Sequence, residues 1–207
     1  MLAGTNSATL IGIAALPVTV EANDGERGDP KLVLVGLPDS AVRESVDRVQ
    51  SSLSNSGFSL PRTHTTINLA PGDLRKEGSA FDLPIALSIL ASTGQMDGSV
   101  LGNFLIAGEL GLSGKTRKVK GGLSMAILAQ KMNLSGILLP LESAKEASQI
   151  DGLPVYPVNS LSDAVGFFNN QDTLKCLDPV KGSMDKICNL LGDFSEIKGQ
   201  LNLKPSR

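Results

Sequence analysis

The sequence predicts a mixed α/β fold, a sheet with helices packed on it. Short strand-like runs alternate with helix-like runs along the chain. Of the 207 residues, 41% are apolar and 19% charged, so the chain can fill a core and is not of the disordered type. Nineteen basic and 21 acidic side chains leave a formal charge of −2, which gives no bulk electrostatic case for nucleic-acid binding. No stretch approaches the roughly 18 apolar residues of a membrane span.

In chain order, Thr9–Leu16 and Val18–Ala22 read as strands divided by Pro17, Asn23–Pro30 as a turn or loop, and Lys31–Val35 as a short strand ended by Gly36. Asp39 caps the clearest helix, whose stripe of Val42, Val46, Val49 and Leu53 has helical spacing; Glu44 and Arg48 form an i,i+4 pair off it. Gly57 stops this helix, with Phe58 folding back on Leu53. Thr65–Leu69 alternates as a strand, and Ala70–Ser79 is a loop. Asp82-Leu83-Pro84 starts a second helix, apolar nearly all round and therefore buried, that ends at Gly94.

Farther on, Phe104–Gly108 and the polar stretch to Val119 read as a hairpin. Gly121-Gly122 leads into a helix over Leu123–Met132, Gly136–Leu139 is a buried strand, and Ser143–Gln149 is a small helix. Pro154–Val158 is an edge strand, and Ser160 with Asp163 resembles a capping box for a helix to Phe168. Asn169–Gly192 reads as linker with a helical turn or two, and Asp193–Arg207 as a tail. Cys176 and Cys188 are expected as free thiols in a reducing, cytoplasmic setting. Met1–Gly4 has neither the basic start nor the apolar run of a secretory leader. One histidine, His64, and no C-x-x-C leave no zinc-type ligand set; His64 reads as a strand-edge residue.

Gly108–Thr116 ends in G-K-T like a phosphate-binding loop, but the required first glycine position is Glu109, and Arg117–Gly122 follows where an apolar helix belongs. A hairpin turn is therefore expected there, with no cofactor site in the chain. Ser79, beside the start of the buried helix, is a candidate nucleophile, although a serine near a helix start is more often a cap. Arg75 and Lys76, with Lys115, Arg117, Lys118 and Lys120, are candidate anion or nucleic-acid contacts if the two clusters meet; a solvated hairpin face is the simpler reading.

Three strings occur in an order that resembles a known family: Val35–Ser45 (VGLPDSAVRES), Ile67–Gly78 (INLAPGDLRKEG) and Phe81–Leu87 (FDLPIAL). Together with Gly108-Glu109-Leu110, Gly121-Gly122 and Leu138-Leu139-Pro140, they resemble the N-terminal domain of the ComM/YifB proteins, magnesium-chelatase-like AAA+ ATPases of bacteria, over about residues 1–170. The resemblance implies a Lon-protease-type domain of the ribosomal protein S5 domain 2-like fold, followed by a hexamer-forming ATPase linked, in competence-associated members, to DNA branch migration during recombination.

Lon-type proteases place a nucleophilic serine in a D-G-P-S-A-G loop and a lysine just after G-G-L. Matched to those motifs, Ala80 takes the serine position and Ser124 the lysine position, so both atoms of the dyad are replaced. Rescue by Ser79 with Lys76 or Lys120 requires a shift of register. Asp193–Gln200 resembles the opening of the family's ATPase module, and Leu201–Arg207 is not its expected continuation. The expectations are therefore residues 1–170 as the Lon-like domain and 171–207 as linker and truncated start of a AAA+ module. ATP and Mg belong only to that motor. The chain is read as a non-catalytic accessory domain that self-associates or works with a AAA+ motor, with no membrane partner. A DNA-binding module and a degenerate serine peptidase are the alternatives.

Overall fold

The computed structural model describes residues 1–27, 30–170 and 174–179. The strands are β1 (Leu2–Ile11), β2 (Ala14–Arg27), β3 (Lys31–Val35), β4 (Thr63–Ala70), β5 (Phe104–Ile106), β6 (Glu109–Leu110), β7 (Thr116–Arg117), β8 (Gly136–Pro140) and β9 (Val155–Val158). The helices are α1 (Ser40–Asn55), α2 (Asp82–Ser92), α3 (Gly122–Lys131), α4 (Leu141–Ala147) and α5 (Leu161–Phe168). Seven strands form a mixed sheet in the order β3-β4-β2-β1-β5-β8-β9, and β6 and β7 form a separate two-stranded ribbon. Only β2 runs against its neighbours; the other pairings, β3–β4, β1–β5, β5–β8 and β8–β9, are parallel.

The strand alternation sorts the core into two layers. Val18, Val20 and Ala22 of β2 and Ile67 and Leu69 of β4 pack with α1, α2 and α5 on one face. Ala8 of β1, Leu105 of β5 and Ile137 and Leu139 of β8 pack with α3 and α4 on the other. Among the described residues that second face carries no helix over β3, β4 and the Thr19–Asn23 part of β2, where Thr19, Asn23, His64 and Val35 are exposed. All eleven residues of α2 are buried, as an apolar circumference demands. In α1, Asp39 accepts a hydrogen bond from Val42 N at 2.8 Å, and Val42, Val49 and Leu53 are buried. Its C-terminus closes as a Schellman motif: Phe58 N donates to Leu53 O at 3.0 Å and Gly57 N to Ser54 O at 3.2 Å.

Several expectations need correction. Thr9–Leu16 is not one strand: β1 and β2 are a hairpin that turns at Gly12 (φ 61°) and Ile13, ahead of Pro17. Pro17 lies inside β2, opposite Ala8, beyond the Thr19–Ala70 pair where β4 ends, so no bond to β4 is asked of its missing N–H. Asn23–Arg27 is strand rather than loop because Thr63–Thr66 of β4 pairs with it. Phe104–Ile106 is not a hairpin arm; it lies in the main sheet between β1 and β8, and the local hairpin is confined to Glu109–Arg117. The small helix runs Leu141–Ala147, two residues earlier than expected. His64 is the second residue of β4 and is exposed, on the face of the sheet that carries no described helix there. Within the expected linker, Leu174 and Leu177 pack on the domain, and Leu177 N donates to Val155 O at 2.9 Å. Cys176 is free and exposed; Cys188 and the expected tail lie outside the described residues. No described helix is long and apolar enough to cross a membrane.

Candidate functional site

The start of α2 is tied to the loop after β5. Gly108 N donates to Ala80 O and Leu83 N to Gly108 O, both at 2.9 Å. That zipper brings Glu109 beside the loop Glu77–Ala80. Opposite, the chain from Lys118 to Lys120 is fixed by Ser143, whose hydroxyl donates to Val119 O at 2.8 Å and accepts from Val119 N at 3.0 Å. Gly121, left-handed at φ 78°, packs where a Cβ would collide with Leu10 and starts α3 directly beneath. Between these walls lies a cleft of about 470 Å³ lined by Asp39, Glu77, Ser79, Ala80, Glu109, Lys118, Lys120, Met125 and the end of β1. The loop that leads into the buried helix and the chain that leads into the Gly121-Gly122 turn therefore face each other across one cleft.

Inside the cleft most of the charges are already paired, Lys120 being the exception among the described residues. Ser79 Oγ donates to Glu109 Oε2, and the other Glu109 oxygen accepts from Arg117 Nη1 at 3.3 Å. The Asp39 carboxylate is taken up by Val42 N and, at 3.3 Å, by Gly78 N. Lys118 Nζ lies 2.7 Å from Glu146, a contact that raises its pKa above the usual lysine range. Ala80, on the cleft wall, presents only a methyl group. Ser124 lies on α3 and donates to Ile13 O at 2.7 Å, toward the β1–β2 hairpin tip.

The two basic clusters do not form one surface. Lys76 is fully buried, not a surface contact: its ammonium donates to Pro71 O, and its backbone bridges to Leu37 O (3.3 Å) and Asp39 N (3.0 Å). Desolvation lowers its pKa from the ordinary lysine value. Arg75 is exposed, pairs with Glu77 at 3.3 Å, and lines a separate hollow with Leu37, Pro38 and Arg43. Lys115, Arg117, Lys118 and Lys120 are exposed along the hairpin. The G-K-T string is the turn of that hairpin, with Gly114 at φ 80° and its carbonyl accepting from Leu161 N. Sequence reasoning missed the part played by Glu109; the pattern gave no signal because its partners, Ser79 and Arg117, arrive from 30 residues before and 8 after.

Residues 20–143 match the family described as subunit ChlI of Mg-chelatase. The chain is 38% identical to competence protein ComM of Haemophilus influenzae over 207 residues, covering 98% of this chain and 40% of that protein. It is 36% identical to the uncharacterized protein YifB of Escherichia coli over 191 residues, 92% of this chain and 37% of that one. A shorter likeness, 33% over 99 residues, joins it to the DNA repair protein RadA of Aquifex aeolicus, 48% of this chain and 21% of that protein. The chain thus spans about two fifths of the length of the first two relatives.

Proposed function

Because the chain belongs to the magnesium-chelatase-like ComM/YifB family, we propose that it is a non-catalytic Lon-like module that supports assembly or substrate engagement by a AAA+ motor in competence-associated DNA processing. The observation that carries this reading is the hydrogen bond from Ser79 to Glu109. A serine nucleophile of this type needs an amine able to take its proton. Here the hydroxyl of the loop is held by a carboxylate that is itself paired with Arg117, and the neighbouring Ala80 offers no reactive atom. The lysine-position residue, Ser124, is engaged with the hairpin tip.

The test has two arms. A fluorophosphonate probe should leave the purified chain unlabelled. In a Haemophilus influenzae strain lacking the matching segment of its own relative, fusing this chain to the remainder should restore transformation, and the Ser79→Ala version should restore it equally. Labelling at Ser79, or loss of rescue on Ser79→Ala with the protein still folded, overturns the non-catalytic reading.

A further inference from the structure

The two ends of the sheet are guarded differently. At the β9 end, Pro157 within the strand removes an N–H donor, and Leu177 N already occupies Val155 O. At the other end, β3 contains no proline, and among the described residues its backbone hydrogen-bonds only to β4. An open strand edge is a template for another strand. Exposed apolar side chains gather there as well: Val35 is 41% and Leu37 55% accessible. Leu37 is held outward with a left-handed backbone, φ 55°, rare for so bulky a residue.

We propose that the β3 edge pairs antiparallel with β3 of a second copy of this chain, across a two-fold axis through Val33. The sequence of the edge selects this occupant. Lys31-Leu32-Val33-Leu34-Val35 set against its own reverse places Lys31 opposite Val35, Leu32 opposite Leu34 and Val33 opposite itself. Every other pair is aliphatic, and the two ammonium groups sit at opposite ends. In-register parallel pairing would instead set Lys31 against Lys31. Leu32 and Leu34 point to the core face and Val33 and Val35 to the helix-free face, so the match continues both faces of the sheet. A two-fold contact of this kind is self-complementary and closes at a dimer. Five residues a side make a small interface, so the expected association is weak.

Sedimentation velocity of the full 207-residue chain, from low micromolar to near-millimolar concentration, tests the pairing. The wild-type chain should show a monomer–dimer equilibrium. Val35→Glu, which sets a carboxylate against Lys31 of the partner subunit at both ends, should tighten it about tenfold, and Val35→Lys should weaken it by about the same factor. Adding Lys31→Glu to Val35→Lys should restore association. Position 35 is exposed, and circular dichroism should be unchanged in all four proteins. A chain monomeric throughout, or a dimer indifferent to these substitutions, overturns the proposal. A dimer lost instead on Ile13→Lys, at the 92% exposed hairpin tip, overturns it in favour of that surface.

Discussion

Arg48 and Asp82 meet in a two-pronged contact: Nε to Oδ2 at 2.8 Å and Nη2 to Oδ1 at 3.0 Å. The Asp82 side chain is fully buried, and the same Oδ2 accepts Leu110 N at 3.1 Å, while Arg48 also donates to Ala41 O and Ser45 Oγ, each at 3.1 Å. Burial pushes the Asp82 carboxyl up, against the pull of Arg48, Ser45 and Leu110 N–H. One carboxylate thus ties α1, α2 and β6 together and sets Glu109 beside Ser79. The i,i+4 contact of Arg48 with Glu44, at 3.7 Å and with Glu44 72% exposed, is secondary.

Removing one member of that pair should cost more than removing both. Asp82→Ala leaves a guanidinium facing an emptied pocket and should lower stability by about 3–5 kcal/mol. Replacing both, as Arg48→Met with Asp82→Leu, should recover much of the loss. Urea denaturation followed by circular dichroism measures each step; equal losses in the single and double variants would contradict the coupling.

Lys76 should give the stability curve an alkaline slope. Its folded pKa is depressed by burial, while the unfolded lysine titrates at about 10.4. Between those values the unfolded chain binds the proton that the folded chain releases, so stability rises with pH through that window. Lys76→Met should flatten the rise and leave stability at neutral pH unchanged or up to about 2 kcal/mol higher. Thermal melts at successive alkaline pH values test both parts.

Gly36 and Gly57 both have positive φ, 104° and 83°, but differ in the space around them. A Cβ on Gly57 meets nothing, so Gly57→Ala should cost only about 1–2 kcal/mol of backbone strain. A Cβ on Gly36 would collide with the carbonyl of Leu69, on the strand that β3 pairs with, so Gly36→Ala should cost more, roughly 3 kcal/mol or above. Denaturant midpoints of the two variants rank them.

The basic hairpin should be a poor DNA ligand. Arg117 and Lys118 are paired with Glu109 and Glu146, and Lys76 is internal. Single-stranded or branched DNA should be retained only at low salt, with a logarithmic salt slope of about −1 to −3 for one to three phosphate contacts. A steeper slope in fluorescence anisotropy, lost on Lys115→Glu with Lys120→Glu, would favour the DNA-binding reading instead.

Local chemistry is legible in the amino-acid sequence itself. Asp39, Gly57 and Phe58 bound α1, the unbroken apolar run makes α2 a buried helix, and Ser160 caps α5, because each signal lies within a few residues of the element that it controls. The strand–helix alternation likewise settles the mixed α/β class, and the three motif strings carry the family. Tertiary structure decides what depends on distant partners. Asn23–Arg27 is strand only because β4 arrives beside it, and Phe104–Ile106 joins the main sheet because β1 and β8 flank it. Lys76, polar by its letter, goes inside because the Pro71 carbonyl and the Leu37–Asp39 turn enclose it. Sequence spacing fixes hydrogen bonds that close over one turn; the partners of an open strand, a charge or a hydroxyl are chosen by the packing of the whole chain.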